Sequence, residues 1–521
     1  MSLTAWSYCF MVFYVALMLV IGYIASKRIS HADDFATARG SYGPYVLALA
    51  FAASTASGAT FLGTPALAYQ WGTASNWSNF LYPIGVYFGI LISMRLIASS
   101  GNKFGNRSIP EYLGDRYQSE GIRILVSLMS LVLFFYLAGQ LVSGLVMFEL
   151  MLGLSPGWAL IITTVVLLVY VVMGGAHADI MTDAVQGGMM LILAVVVIFL
   201  VALGFGIDGG FLGMLENLKG QDDVLVAPLN PKTPYYHSWW AIFAVVFAHI
   251  PLGLLPHLGN KLWALKDGGG QLKFVKLAFI FGLTLGMLGL AGLLARAHLG
   301  DTLLMEGANA NQALPMLFIH LFPTWLAALI GVGVLAAIMS TADGLVVSSA
   351  QIIANDLYRR TIVPIVSSDL SEQELDQRIL LISRVSTVVV LMISMWMAWL
   401  LLDRNVAMIV WIGVGGMMAA FAGPLVVGAL WRGVTRKGAY AGLIAGFLSF
   451  GALHTQMISP DWFSQGTSIH VAVNWLYGEG PNPISCAVIG EIVSIVFTLL
   501  VSKLTHPLSK EHLEEMFPSE A

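Results

Sequence analysis

Charge is what this sequence has least of. Of 521 residues only 10% are Asp, Glu, Lys or Arg while 58% are hydrophobic, and the mean hydropathy is +0.81; soluble domains carry about 25% charged residues. That scarcity excludes an ordinary soluble enzyme. The charges present nearly cancel, 25 Lys and Arg against 29 Asp and Glu, so the basic face of a nucleic-acid binder is absent as well. Cysteine is scarcer still. Cys9 and Cys486 lie in hydrophobic stretches near opposite ends of the chain, without metal-ligand spacing, and read as packing residues rather than a disulfide or zinc site. No basic residue precedes the first apolar run, Trp6 to Ala25, which reads as a retained helix and not a cleaved signal. No His-Glu-x-x-His or Gly-x-Ser-x-Gly pattern occurs, and Glu149 and Asp343 stand alone in the sequence, so an enzyme's constellation is missing. A channel's repeated filter element is missing too. No attached soluble module is expected after the last apolar run.

What the sequence does have is apolar runs. At roughly 20 residues per membrane helix they predict an all-α, polytopic membrane protein of about thirteen spans, near 6–26, 43–69, 77–98, 122–151, 158–173, 184–207, 238–257, 273–298, 325–352, 379–402, 406–430, 437–457 and 484–504. Loops after spans 1, 3, 7, 9 and 11, with the C-terminal tail, hold 21 of the 25 Lys and Arg, Lys261 among them; the opposite loops hold only Lys219, Lys232, Arg296 and Arg404. Positive charge is retained on the cytoplasmic side, which predicts the N-terminus outside and the C-terminus inside. Residues 208–237 are expected to form an outer loop and 361–377 an inner one. Trp71, Trp77, Trp239 and Trp240 read as an interfacial belt.

Two spans carry breakers at matching places. Span 2 packs Ser54, Thr55, Ser57, Gly58 and Thr60 at mid-membrane depth ahead of Pro65, and span 7 carries Pro251, Gly253, Pro256 and Gly259. Unwound backbone is tolerated in a bilayer only where it lines a cavity or is buried in protein, and paired breaks in the two halves of a carrier point to its binding centre. Spans 2–6 (43–207) and 7–11 (238–430) therefore propose a five-plus-five repeat, with 1–42 and 431–521 peripheral, within one transporter domain. On span 9, Ser340 and Thr341 place two hydroxyls one turn after Ala337, an oxygen set suited to a weakly held monovalent cation; back-bonding to the helix's own carbonyls is the competing reading.

Ala336-Ala-Ile-Met-Ser-Thr341 followed by Ser348-Ser-Ala-Gln-Ile-Ile-Ala-Asn-Asp-Leu-Tyr358 resembles the signature span of the sodium:solute symporter family. So do the stretches 174–186, Ile109-Pro-Glu-Tyr-Leu113 with Arg116 and Tyr117, and Asp34-Phe-Ala-Thr-Ala-Arg-Gly40. The resemblance, from about residue 6 to 504, implies a LeuT-type fold with thirteen helices and sodium-driven alternating access. It places the family's sodium site on the carbonyls of Ala53, Ala56 and Ala337 and the hydroxyls of Ser340 and Thr341, and a sodium exit residue on Asp183; Asp179 and Asp183 are otherwise helix-start anions. Sodium is the one ion implied, with a small-molecule solute and the bilayer as partners and no obligate protein partner.

The substrate positions depart from two branches of the family. Sugar carriers have a Glu-Gln pair where this chain has Ala59 and Thr60, and proline carriers have Asp and Trp where it has Thr55 and Ala59. The pattern Ser57-Gly-Ala-Thr-Phe-Leu-Gly-Thr-Pro-Ala-Leu-Ala-Tyr69 looks most like the pantothenate and monocarboxylate branch, which implies import of a small carboxylate across a bacterial inner membrane; a proline-like zwitterion is the alternative. Half-helix N-termini can hold a carboxylate without a buried Arg, and no Lys or Arg falls at the middle of an expected span. Candidate substrate contacts are Thr55, Ser57, Gly58, Ala59, Thr60, Tyr136, Gln140, His249, Gly253 and Trp411, with His257 either a contact or a helix cap near the cytoplasm.

Overall fold

The computed structural model describes residues 1–30, 32–266, 270–366 and 371–517. It is helical throughout, and among the described residues the single β-feature is an isolated bridge between Tyr42 and Leu265. The apolar runs become helices because a membrane span must satisfy its own backbone, and the ends are marked by side-chain caps: Ser2 for Leu3–Ser26, Ser238 for Trp239–Ala248, Asn405 for Val406–Phe421, and a reciprocal Ser371/Glu374 capping box for Glu372–Leu400.

All thirteen expected stretches fall on helix, but length and apolarity alone do not return thirteen spans. Among the described residues nine helices are long and apolar enough to cross a membrane, or ten if the pair Trp239–Leu254 and Pro256–Ala264, bent by 55°, counts as one. The shortfall has physical causes: Pro44–Thr55 stops at a break, Pro156–Val169 is short, and Arg436–His454, 19 residues long, spends its first two on Arg436 and Lys437. The expected outer loop 208–237 contains a helix, Gly210–Gln221. The expected inner loop is shorter than 361–377, because π-helical turns continue Thr324–Gln351 through Ile362 and the next helix starts at Glu372; its centre lies outside the described residues.

Helix Thr324–Gln351 is the axis of the molecule, buried from Gly331 onward, whereas Leu3–Ser26 and Glu372–Leu400 turn Phe13, Tyr23, Trp396 and Trp399 outward. The long helix Pro156–Leu203 folds back at Gly175, whose φ of +50° leaves the helical region; a Cβ there would lie 2.6 Å from the Phe35 ring, so this corner requires glycine. Beyond it, Gly187 brings the helix against the Leu49 carbonyl of Pro44–Thr55. That contact sets Asp183 beside the first break.

Candidate functional site

The first broken span runs Pro44–Thr55, then an irregular Ala56–Gly58, then a π-turn Ala59–Gly63 and helix Thr64–Trp71. Ala56 leaves the helical region (φ −90°, ψ 80°). The three N–H groups that would normally reach its carbonyl are committed to Ser57: Ala59 N–H donates to the Ser57 hydroxyl at 3.1 Å, and Thr60 and Phe61 N–H donate to the Ser57 carbonyl at 2.8 and 3.1 Å. Gly58 N–H donates to Gln140 Oε1 at 2.8 Å. The second broken span passes through the 3₁₀ turn Leu252–Leu254 and extended Leu255 before Pro256–Gly259 and the 3₁₀ turn Asn260–Ala264. Backbone bonds then fasten it to the start of the first: Gly40 N–H to Trp263 O at 3.0 Å, and Tyr42 N–H to Ala264 O and Lys266 N–H to Tyr42 O, both at 2.9 Å.

Where the first break crosses the central helix, Ser340 Oγ lies 3.1 Å from the Ala53 carbonyl and 2.9 Å from the Ala337 carbonyl, and Thr341 Oγ1 lies 3.1 Å from the Ser54 carbonyl. Ser340 and Thr341 are fully buried. The back-bonding reading thus holds for one acceptor, Ala337, while the other two acceptors come from a different helix. Ala53, Ala337, Ser340 and Thr341 meet here, and Ala56 ends the same helix three residues after Ala53 with its carbonyl released from the ladder.

Sequence reasoning missed the neighbour of this cage. Lys261, assigned above to a cytoplasmic loop, is buried and forms ion pairs with Asp179 Oδ2 at 2.9 Å and Asp183 Oδ2 at 2.5 Å; its ammonium also donates to Ser54 Oγ at 2.5 Å. Ser54 Oγ in turn lies 2.6 Å from Asp183. Asp343, which stands alone in the sequence, joins them: the ligand oxygens of Asp179, Asp183 and Asp343 lie within 4.8 Å of one another. Lys261 is therefore not the cytoplasmic-loop residue expected from sequence, because the break and the 3₁₀ turn after it carry it back into the protein. A signal was available in Asp179 and Asp183, two carboxylates four residues apart on one helix face in an apolar span, which call for a cation.

Beside the break, Thr55, Ser57, Ala59, Thr60, Tyr136, His249 and Trp411 line one small cavity of about 40 Å³. Thr64, Ser78 and Tyr82, none expected, line it too, and no Asp, Glu, Lys or Arg does. Three candidates stand elsewhere. Gln140 gives its Oε1 to the Gly58 N–H and keeps a buried Nε2 without a protein partner, and Gly253 packs against Ile90. His249 keeps its Nδ1 2.6 Å from the Val245 carbonyl and its ring against Tyr82. His257 is not a helix cap: it is buried edge-on to Tyr136, ring centroids 5.3 Å apart, and borders a second cavity with Asp179 and Lys261.

This geometry, an uncharged oxygen cage where a broken helix meets an intact one, is a secondary carrier's. The model of the sodium:solute symporter family matches residues 35–446, and the chain belongs to that family: it is a multi-pass membrane carrier that couples solute movement to sodium. It is similar to the sodium/proline symporter of Escherichia coli, 26% identical over 495 residues that cover 90% of this chain and 92% of the relative, and to the sodium/pantothenate symporter of the same organism, 26% identical over 455 residues covering 85% and 90%. Sodium/proline symporter 2 of Staphylococcus saprophyticus is 27% identical over 515 residues, 96% of this chain and 93% of that one. In fold it is similar to a Na⁺-coupled sialic acid symporter solved in a substrate-bound outward-open state, with a TM-score of 0.72 at 20% identity over 96% of this chain and 98% of that one.

Proposed function

We propose that the chain imports a small carboxylate by alternating access, with sodium held by the carbonyls of Ala53, Ala56 and Ala337 and the hydroxyls of Ser340 and Thr341. The observation that carries the substrate reading is the cavity itself: Thr60, Tyr82 and Tyr136 offer hydroxyl donors, and no acidic side chain stands ready for an ammonium group. Tyr82 Oη is buried and has no protein partner. The donors differ from those expected from sequence. The N–H groups opening the first half-helix are already taken by Gln140 and Ser57, so the anion falls to side chains. About 40 Å³ is room for a few water-sized groups, which favours a monocarboxylate of few heavy atoms over pantothenate. A proline-like zwitterion is the second reading, favoured by the sodium/proline symporters among the relatives. Spans 43–207 and 238–430 act as the inverted repeats, and the protein sits in a bacterial inner membrane with its N-terminus outside.

Proteoliposome uptake tests this. Accumulation is expected to need an inward sodium gradient and to be competed by acetate or pyruvate; competition by proline alone favours the second reading, and equal accumulation with potassium in place of sodium overturns the cage. Ser340→Ala with Thr341→Ala is expected to lower sodium affinity at least tenfold, about 1.4 kcal/mol.

A further inference from the structure

Lys261 takes no part in the sodium cage or the solute cavity, yet its buried ammonium is fully bonded. An ammonium has three protons to donate, and this one has three acceptors: Asp179 Oδ2 at 2.9 Å, Asp183 Oδ2 at 2.5 Å and Ser54 Oγ at 2.5 Å. We propose that the Asp179–Asp183–Asp343 cluster is a second cation site that this chain fills with its own Lys261 ammonium, so that one sodium rather than two accompanies each solute. The inference rests on the cage reading above for the first sodium.

The cluster has the spacing and chemistry of a cation site. Hard cations take oxygen ligands at about 2.3–2.6 Å, so ligands on opposite sides of the ion stand about 5 Å apart; the three carboxylate oxygens lie within 4.8 Å of one another and all three residues are buried. The donor set is not exhausted by the lysine. Asp179 Oδ1 and Asp183 Oδ1 have no protein hydrogen-bond partner, and neither ring nitrogen of buried His257 has one. His257 lines a cavity of about 20 Å³ that Asp179 and Lys261 also line, so unspent polar atoms share that cavity with the lysine. Asp179 and Asp183 share the one ammonium, and buried charge persists only when paired. Removing the ammonium therefore creates a strong demand for another cation.

The lysine arrives by a route fixed by the backbone. It follows the Pro256 break on the 3₁₀ turn Asn260–Ala264, whose end is tied to Tyr42. Ser54 links the two sites, its hydroxyl receiving the ammonium and its carbonyl receiving the Thr341 hydroxyl. One residue thus separates a tethered cation from a transported one.

The test counts ions. Purified full-length protein in lipid nanodiscs, titrated with ²²Na⁺, is expected to bind one sodium with a Hill coefficient of 1. Lys261→Met, which keeps the stem and deletes the charge, is expected to bind two, with a Hill coefficient rising toward 2 and a melting temperature that becomes sodium-dependent. Adding Asp179→Asn and Asp183→Asn to Lys261→Met is expected to return the count to one. A folded Lys261→Met that binds one sodium, or a second sodium that survives the triple substitution, overturns the proposal. Should Lys261→Met not fold, reversal potentials of the unaltered protein in proteoliposomes decide: one sodium per solute supports the tethered cation and two overturns it. If Ser340→Ala with Thr341→Ala leaves the single sodium in place, the cage reading fails instead, a different result from either.

Discussion

The sodium cage and the lysine cluster are neighbours built from opposite materials. The cage has no formal charge: its atoms are carbonyls of Ala53 and Ala337 and hydroxyls of Ser340 and Thr341. The cluster two or three residues away is all charge, with Asp179, Asp183, Asp343 and Lys261 buried together. Burying an ion costs several kcal/mol even after relaxation, so the charges of the cluster persist only when paired, while neutral oxygens suit a weakly held monovalent cation. On the reading proposed above, the neutral set holds the ion that travels and the charged set the one that stays.

The sharpest way to break this contrast is to strip the cluster of its anions. Asp179→Asn with Asp183→Asn leaves Lys261 without its carboxylate partners, and removing one side of a buried pair costs about 3–5 kcal/mol; thermal unfolding is expected to fall steeply and to recover when Lys261→Met is added. A double variant as stable as the parent would mean the cluster is not paired in the membrane. Gly58→Ala acts next to the cage without touching charge. Its Cβ would lie 2.7 Å from Ser143 Cβ, and overpacking of this kind costs about 1–3 kcal/mol. Lower stability is expected, with the Gln140 bond to the broken helix lost and uptake reduced; sodium binding and uptake at parental levels would show that the break tolerates filling.

The smallest effect lies outside the membrane and calibrates the other two. The Glu374 carboxylate accepts from the Ser371 hydroxyl and N–H, and these bonds hold it below the usual glutamate range. A carboxyl whose folded value is depressed stabilises above its unfolded value and loses that contribution as pH falls through the folded one. Glu374→Gln is therefore expected to cost slightly at neutral pH and nothing in acid, with sodium binding unchanged at both. A pH-independent loss would assign the effect to something other than the capping box.

The cage was legible because it is local. Ser340 and Thr341 are adjacent, Ala337 is one turn away, and the breakers of span 2 announce themselves in sequence. The family resemblance supplied the partner helix, and the family match stands, while the individual ligand assignments remain for the sodium titrations. The cluster was not legible for the opposite reason: Lys261 lies 78 residues from Asp183, and a hydropathy window cannot see that a proline break turns a loop-side lysine inward. Length and apolarity alone return fewer than thirteen spans partly for the same reason, since a helix stopped at Thr55 is too short to register. Periodicity reports elements, but breaks decide where the chain goes after them.

The strap between Tyr42 and Leu265 has a further consequence. Its three hydrogen bonds run entirely between main-chain atoms, at Gly40, Tyr42, Trp263, Ala264 and Lys266. Proline at 40, 42 or 266 removes a donor and cuts a strand of it, and at 40 the φ of +60° favours glycine as well. The two interrupted helices are thus joined by peptide groups as well as by the Lys261 side chain that reaches Ser54.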